Sequence, residues 1–249
     1  MFAAYLHLQV VWVYCSGMTG NKMKTMTLAQ QLKIDIFTAL RQNAKPGVAL
    51  QCFALLIAVS YFYWPDAQRL FSALAAMKAE FGWVYSAIAT ALFGGVIPVL
   101  LLRTLGYQAA DFGIELVCVA LFWAYKGVEV DLFYQLQSWL FGSKLDVATV
   151  VTKVVVDQFI YSAFWSVPTI AVFYLWKDLG FPRHHFLKYI DKEFWLRRVF
   201  AMTISNWLIW IPAVCVIYMM PADLQLPLFN IVLLFFGMLV AVLSKNERV

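Results

Sequence analysis

Charge is scarce in this chain. Only 13% of its 249 residues are Asp, Glu, Lys or Arg, against about 25% in a typical soluble domain. That scarcity excludes a disordered segment, a long coiled coil and a nucleic-acid-binding domain, each of which depends on charge. Histidine is scarcer still, limited to His7, His184 and His185. Adjacent His184 and His185 lack the i,i+4 spacing that turns two imidazoles onto one metal, so neither a metal site nor a cofactor is expected. The four cysteines, Cys15, Cys52, Cys118 and Cys215, lie far apart with no CxxC or Cys/His ligand spacing. They read as buried packing residues. No GxSxG elbow, HExxH pair or glycine-rich phosphate loop occurs, so no catalytic residue and no enzyme is expected.

Apolar side chain is what the sequence has. Hydrophobic residues make up 63%, and the mean hydropathy is +0.75. A soluble globule of this size has too little interior to hide so much apolar surface. A membrane span needs about 20 apolar residues. Six segments meet that length, at 48–64, 83–102, 112–133, 154–176, 199–220 and 226–243. Glu115, Lys126, Glu129 and Asp131 interrupt the third. Unpaired backbone groups are not tolerated in hydrocarbon, so every span is expected to be helical. The predicted fold is an all-α, polytopic transmembrane helix bundle of about six spans.

Lysine and arginine set the direction. With the N-terminus cytoplasmic, the inner segments hold 14 of the 19 basic residues. The outer loops hold four, namely Arg69, Lys78, Lys144 and Lys153. That bias predicts both termini on the cytoplasmic side, where the net charge of +5 favours anionic lipid headgroups over nucleic acid as partner. Tyr61, Tyr63, Trp64, Trp83, Tyr85, Tyr174, Trp176 and Trp195 fall at expected span ends, where amphipathic rings sit at headgroup level.

Residues 1–47 form an N-terminal segment and 48–249 a single transmembrane domain. Residues 1–14 are apolar but too short to span, and lack the basic start of a signal peptide. In-frame Met18, Met23 and Met26 leave the start of translation open. Leu28, Leu32, Ile36 and Leu40 recur every four residues, flanked by Lys24, Lys33, Arg41 and Lys45. The pattern predicts a basic amphipathic helix in the plane of the inner leaflet. Phe186, Ile190 and Phe194 within the basic 177–198 segment predict a second one.

An ionisable residue at the centre of a span costs about 2.5–3.5 kcal/mol on the insertion scale, so each needs a reason to be there. At 100° per residue, Glu115, Lys126, Glu129 and Phe133 fall in one narrow arc of the third span. Lys126 and Glu129 are at the pairing distance i,i+3. Asp157 shares a face of the fourth span with Tyr161, Phe164 and Pro168. The expectation is a polar cluster of Lys126, Glu129 and Asp157 toward the outer half of the bundle. It would either line a path or brace packed helices. Gly94, Gly95 and Pro98 in the second span, Pro168 in the fourth and Pro212 in the fifth weaken helix hydrogen bonding and free carbonyls that need partners or a cavity. Ala87, Ala91 and Gly95 form a small-residue stripe open to close helix approach.

Several stretches of residues 112–245 resemble one family. They are Gly127-Val128-Glu129-Val130-Asp131-Leu132-Phe133-Tyr134-Gln135-Leu136, then Lys153 followed by Asp157-Gln158, then Trp207-Leu208-Ile209-Trp210-Ile211-Pro212. Tyr218-Met219-Met220-Pro221 and Leu243-Ser244 follow. In order and spacing they resemble the motifs of the Mpv-seventeen and peroxisomal-membrane-protein-of-twenty-two-kilodaltons family. Val128 stands where that family has proline, Asp131 where it often has histidine, Phe133 where it has tryptophan and Ala163 where a proline follows Asp-Gln. Ile211 intervenes between Trp210 and Pro212. Residues 48–111 lie outside its four-span core and suggest a bacterial branch. The resemblance implies a small multi-pass protein of a bacterial inner membrane, or of a mitochondrial inner or peroxisomal membrane in a eukaryote, suspected of forming a weakly selective channel. It points to Asp131, Tyr134, Asp157, Gln158, Trp207, Trp210 and Pro212.

Two functions are therefore expected. The first is a channel or passive transporter for small polar solutes, lined by Glu115, Lys126, Glu129, Asp131, Asp157 and Gln158 between the third, fourth and fifth spans. The second is a non-conducting scaffold that binds lipid or partners, with a homo-oligomer compatible with either.

Overall fold

The computed structural model describes residues 27–107, 111–182 and 186–246. Helix accounts for nearly all of them, and no strand occurs among the described residues. His7, Cys15, residues 1–14 and the pair His184–His185 lie outside that set.

Six long helices form the bundle. α1 spans Leu28–Tyr63, α2 Pro65–Thr104, α4 Val147–Asp178 and α5 Phe194–Tyr218. α3 spans Phe112–Phe141 and α6 spans Ala222–Asn246. Five of them contain stretches long and apolar enough to cross a membrane; α3 does not, although its 30 residues exceed the required length. The same four ionisable residues that interrupted the pattern set it apart, and three of them, Glu115, Lys126 and Asp131, are buried against neighbouring helices.

Local chemistry sets the helix boundaries. Thr27 and Gln30 form a reciprocal capping box at the start of α1, satisfying two otherwise unpaired N–H groups. Asp111 accepts from Ile114 N–H at 3.0 Å and Asp146 from Thr149 N–H at 3.0 Å, capping α3 and α4. Trp64 alone separates α1 from α2. Gly82, at φ 54° and ψ −130°, breaks α2 into a 65–81 segment and the membrane-length piece beginning at Trp83. Only glycine adopts that backbone readily.

Two prolines coincide with changes of helix type. The Ala91–Val96 stretch of α2 and the Val156–Ser166 stretch of α4 are π-helical. Each is followed within two residues by a proline, Pro98 and Pro168. A proline has no N–H and clashes with the carbonyl four residues back; a preceding i→i−5 turn accommodates the ring. The last such bonds run from Ile97 N–H to Leu92 and from Val167 N–H to Ser162.

Packing is centred on α6, of which the Ala222–Leu239 stretch is 61% buried. It touches α1, α2, α3 and α5. α1 lies against α5, and α2 against α3 and α6. Gly127 lets α2 and α3 approach: a Cβ there would fall 2.2 Å from the Ser86 carbonyl oxygen. Gly94 and Gly95 seat the Trp123 ring in the same way. The small-residue stripe is therefore partly used inside the chain.

Four expectations need correction. First, α1 is one continuous 36-residue helix through Pro46, not an in-plane helix followed by a span. Asp35 is held by Arg197 of α5 at 2.7 Å and 3.2 Å, which joins the two parts to one neighbour. Second, the described residues between α4 and α5 hold a 3-10 turn, Phe186–Tyr189, in place of the expected in-plane helix, and Phe194 is buried at the start of α5. Third, Cys52 is exposed, and Cys118 and Cys215 are partly buried, so none is a core residue. Fourth, Tyr174 is buried inside the bundle, its hydroxyl accepting from Trp123 Nε1.

Candidate functional site: a polar chamber between α3, α4 and α5

The ionisable residues of α3 separate into three ion pairs. Glu115 meets Lys177 of α4 at 3.1 Å, near the Tyr107 hydroxyl, which lies 3.4 Å from the same ammonium. Lys126 pairs with Glu129 one turn away and lies 3.5 Å from the Thr169 hydroxyl; Glu129 also accepts from Tyr161. Asp131 meets Lys78 at 3.0 Å, accepts from the Ser86 hydroxyl at 2.6 Å and from Gln135 at 3.1 Å. The expected lining set of Glu115, Lys126, Glu129, Asp131, Asp157 and Gln158 is thus divided. Glu115 lies at one end of α3, and Asp131 faces α2, fastening the 65–81 segment to the bundle. Lys78, expected in an outer loop, is part of that clamp.

Asp157 is held differently. Among the described residues three carboxylates are fully buried, Glu115, Asp131 and Asp157. The first two face lysine. Asp157 accepts only from neutral donors: the Tyr218 hydroxyl at 2.5 Å, Gln158 Nε2 at 2.8 Å and the Ser162 hydroxyl at 3.2 Å. Tyr218 in turn accepts from Gln137 of α3 at 2.5 Å. Lys153, one turn earlier on α4, bonds the Ser138 hydroxyl at 3.2 Å, with its ammonium 5.9 Å from the Tyr218 ring centre.

The π-helical register decides which side chains accompany Asp157. In an α-helix Phe164 would share its face. With i→i−5 bonding, residue i+5 lies over residue i, and Ser162 takes that place. Phe164 points outward and is 78% exposed.

Lys126 and Asp157 line the same chamber, with a volume of about 30 Å³. α3 contributes Trp123, Lys126, Val130 and Tyr134; α4 contributes Asp157, Gln158, Tyr161, Ser162 and Ser166. Asn206 and Trp210 come from α5, and Phe229 of α6 closes the remaining side. Lys126 is 1% exposed and Asp157 4%, so both are sheltered from the lipid-facing surface. Two polar atoms on the lining have no partner, Asn206 Oδ1 and Trp210 Nε1. Asn206 Nδ2 donates to Gln158 Oε1 at 3.1 Å, and Trp207 Nε1 to the Gln158 carbonyl at 2.8 Å.

One end of the chamber is sealed by aromatic side chains. Trp123 Nε1 donates to the Tyr174 hydroxyl at 3.0 Å, and Phe122 stacks on Phe173 at 3.9 Å beside them. Beyond this layer lie Glu115, Lys177 and Asp178. At the opposite end stand Gln137, Tyr218 and Lys153, next to the 142–146 turn.

Of the positions highlighted by sequence, Lys126, Tyr134, Asp157, Gln158 and Trp210 meet at the chamber. Glu129 supports Lys126, and Trp207 fixes the Gln158 backbone. Glu115, Asp131 and Pro212 do not take part. Sequence reasoning missed Gln137, Ser162, Ser166, Asn206 and Tyr218. Serine, asparagine and glutamine are tolerated in spans without comment, and only the shifted register or tertiary contact gives them a common target. Among the described residues no group of three or more His, Cys, Asp or Glu is placed to hold a metal. Comparison of the chain with protein-family models, curated proteins and solved structures found no match.

Proposed function

We propose that this integral membrane protein is a conduit, a channel or passive transporter, for small polar species. The observation that carries the proposal is the convergence of Lys126, Asp157, Gln158 and Asn206 on one chamber inside the bundle. Polar groups at membrane depth are tolerated where they line water or a pathway. α3 would then make the sixth crossing, its charges hidden by its neighbours. In this reading the Trp123–Tyr174 layer is the closed point of the path.

The resemblance of residues 112–245 to the Mpv-seventeen and peroxisomal-membrane-protein-of-twenty-two-kilodaltons family supports this proposal, because Tyr134, Asp157, Gln158 and Trp210 all stand around the chamber. The basic bias supports cytoplasmic termini in a bacterial inner membrane. On the exposed side of α1, Lys33, Arg41 and Lys45 suit anionic headgroups. At about 1.5 Å per residue, its 36 residues reach about 54 Å, beyond a hydrocarbon layer of about 30 Å.

The closed aromatic layer and the satisfied ion pairs favour the alternative, a non-conducting scaffold. Flux of protons, urea and glycine into vesicles holding the purified protein separates the two. A conduit gives uptake of at least one of them above that of empty vesicles, reduced in Asp157→Asn. Uptake of all three equal to that of empty vesicles at every potential and pH removes the conduit.

A further inference from the structure

We propose that the chamber binds a hydrated proton and that Asp157 is its acceptor, so that the species moved by the conduit proposed above is the proton. Three observations point there.

The first is size. A chamber of about 30 Å³ has room for about two water molecules. A solute bulkier than about two waters does not fit without displacing lining side chains such as Trp210 or Tyr134.

The second is the character of the unpartnered groups. Trp210 Nε1 is a donor and Asn206 Oδ1 an acceptor, both unpaired, on side chains at least 97% buried. Water satisfies both at once. A bare alkali cation satisfies the acceptor but cannot accept from the Trp210 N–H.

The third is the charge balance. Lys126 is matched by Glu129, Lys78 by Asp131 and Lys177 by Glu115. Among the buried carboxylates of the described residues, Asp157 alone has only neutral partners. The titratable and charged groups facing it are Lys126, Glu129 and Tyr134 on α3, Lys153 and Tyr161 on α4, and Tyr218 on α5. The α6 lining is Phe229. A protonated water in the chamber transfers H⁺ to the Asp157 carboxylate, leaving a carboxylic acid and neutral water. Release is the reverse transfer to the same water pair.

The test uses the purified chain in phosphatidylcholine–phosphatidylglycerol vesicles containing a pH-sensitive dye, under an imposed potential. Proton uptake above that of empty vesicles is expected for the native protein and for Asp157→Glu, and loss of it for Asp157→Asn. Infrared spectroscopy of the native protein is expected to show the carbonyl stretch of a buried protonated carboxyl, absent from Asp157→Asn. If Asp157→Asn does not fold, Trp210→Phe, which removes the water-facing N–H together with part of the ring, is expected to slow uptake. Uptake that needs sodium, or that is unchanged in folded Asp157→Asn or Trp210→Phe, overturns the proposal. Passage of urea or glycine without protons overturns it while leaving the conduit standing. Passage of neither overturns both.

Discussion

Tyr218, near the C-terminus of α5, donates its hydroxyl to Asp157 of α4 at 2.5 Å and accepts from Gln137 of α3 at the same distance. One phenol therefore links three helices around a carboxylate that bonds to no lysine or arginine. A buried donor or acceptor that loses its hydrogen-bond partner costs about 1–3 kcal/mol. Tyr218→Phe is expected to destabilise the detergent-solubilised protein by about that amount, since it also strands the Gln137 amide. Thermal unfolding followed by circular dichroism measures it. An unchanged midpoint would mean that the three-helix link carries no stability.

The Lys126–Glu129 pair has a different signature. Removing one partner of a buried pair leaves an uncompensated charge and costs about 3–5 kcal/mol. Lys126→Met is expected to lose folded yield. The double variant Lys126→Met/Glu129→Gln is expected to recover most of it, because both charges are gone. A double-mutant cycle on unfolding midpoints reads the coupling, and additive losses would contradict direct pairing.

Gly127 is a steric test of the α2–α3 contact. Its Cβ would meet backbone, the Ser86 carbonyl at 2.2 Å, which cannot move like a side-chain tip. Gly127→Ala is expected to destabilise by about 1–3 kcal/mol or more through overpacking. Gly47→Ala serves as the control. Its Cβ would lie 3.6 Å from Ile209, an ordinary contact, so no loss is expected there. Equal effects at the two glycines would contradict the close approach.

Asp146 tests the start of α4 through pH. Hydrogen bonds from the Thr149 backbone N–H, and then from its hydroxyl, hold this exposed carboxyl below its ordinary value. A depressed folded-state value means that the cap stabilises the helix above the ordinary carboxylate range. The stabilisation is lost as the pH falls through the folded value. Amide protection in the first turn of α4, with the intrinsic pH dependence of exchange divided out, is expected to fall on acidification. In Asp146→Ala it is expected to be low at every pH.

How much of this could be read beforehand depended on the range of the interaction. Span positions followed from local composition, and the Trp83 start coincides with the Gly82 break. The Lys126–Glu129 pair was legible because i,i+3 neighbours meet on any helix. The partners of Glu115 and Asp131 were not, because Lys177 and Lys78 come from other helices and no periodicity names them. Phe164 was placed on the wrong face because a regular 100° step was applied across a π-helical stretch. Pro168 signalled that stretch without giving its length. Pro46 and Gly47 interrupt the pattern of α1 but not the helix, whose course is set by contact with α5.

The most direct measurement of the central claim is a gain of passage. Trp123 and Tyr174 close the chamber, so Trp123→Ala, confirmed folded by elution profile and circular dichroism, opens the seal. Uptake of urea and of protons into vesicles is expected to rise above that of the native protein. A folded Trp123→Ala protein that admits no more of either than empty vesicles do would contradict a route through this chamber.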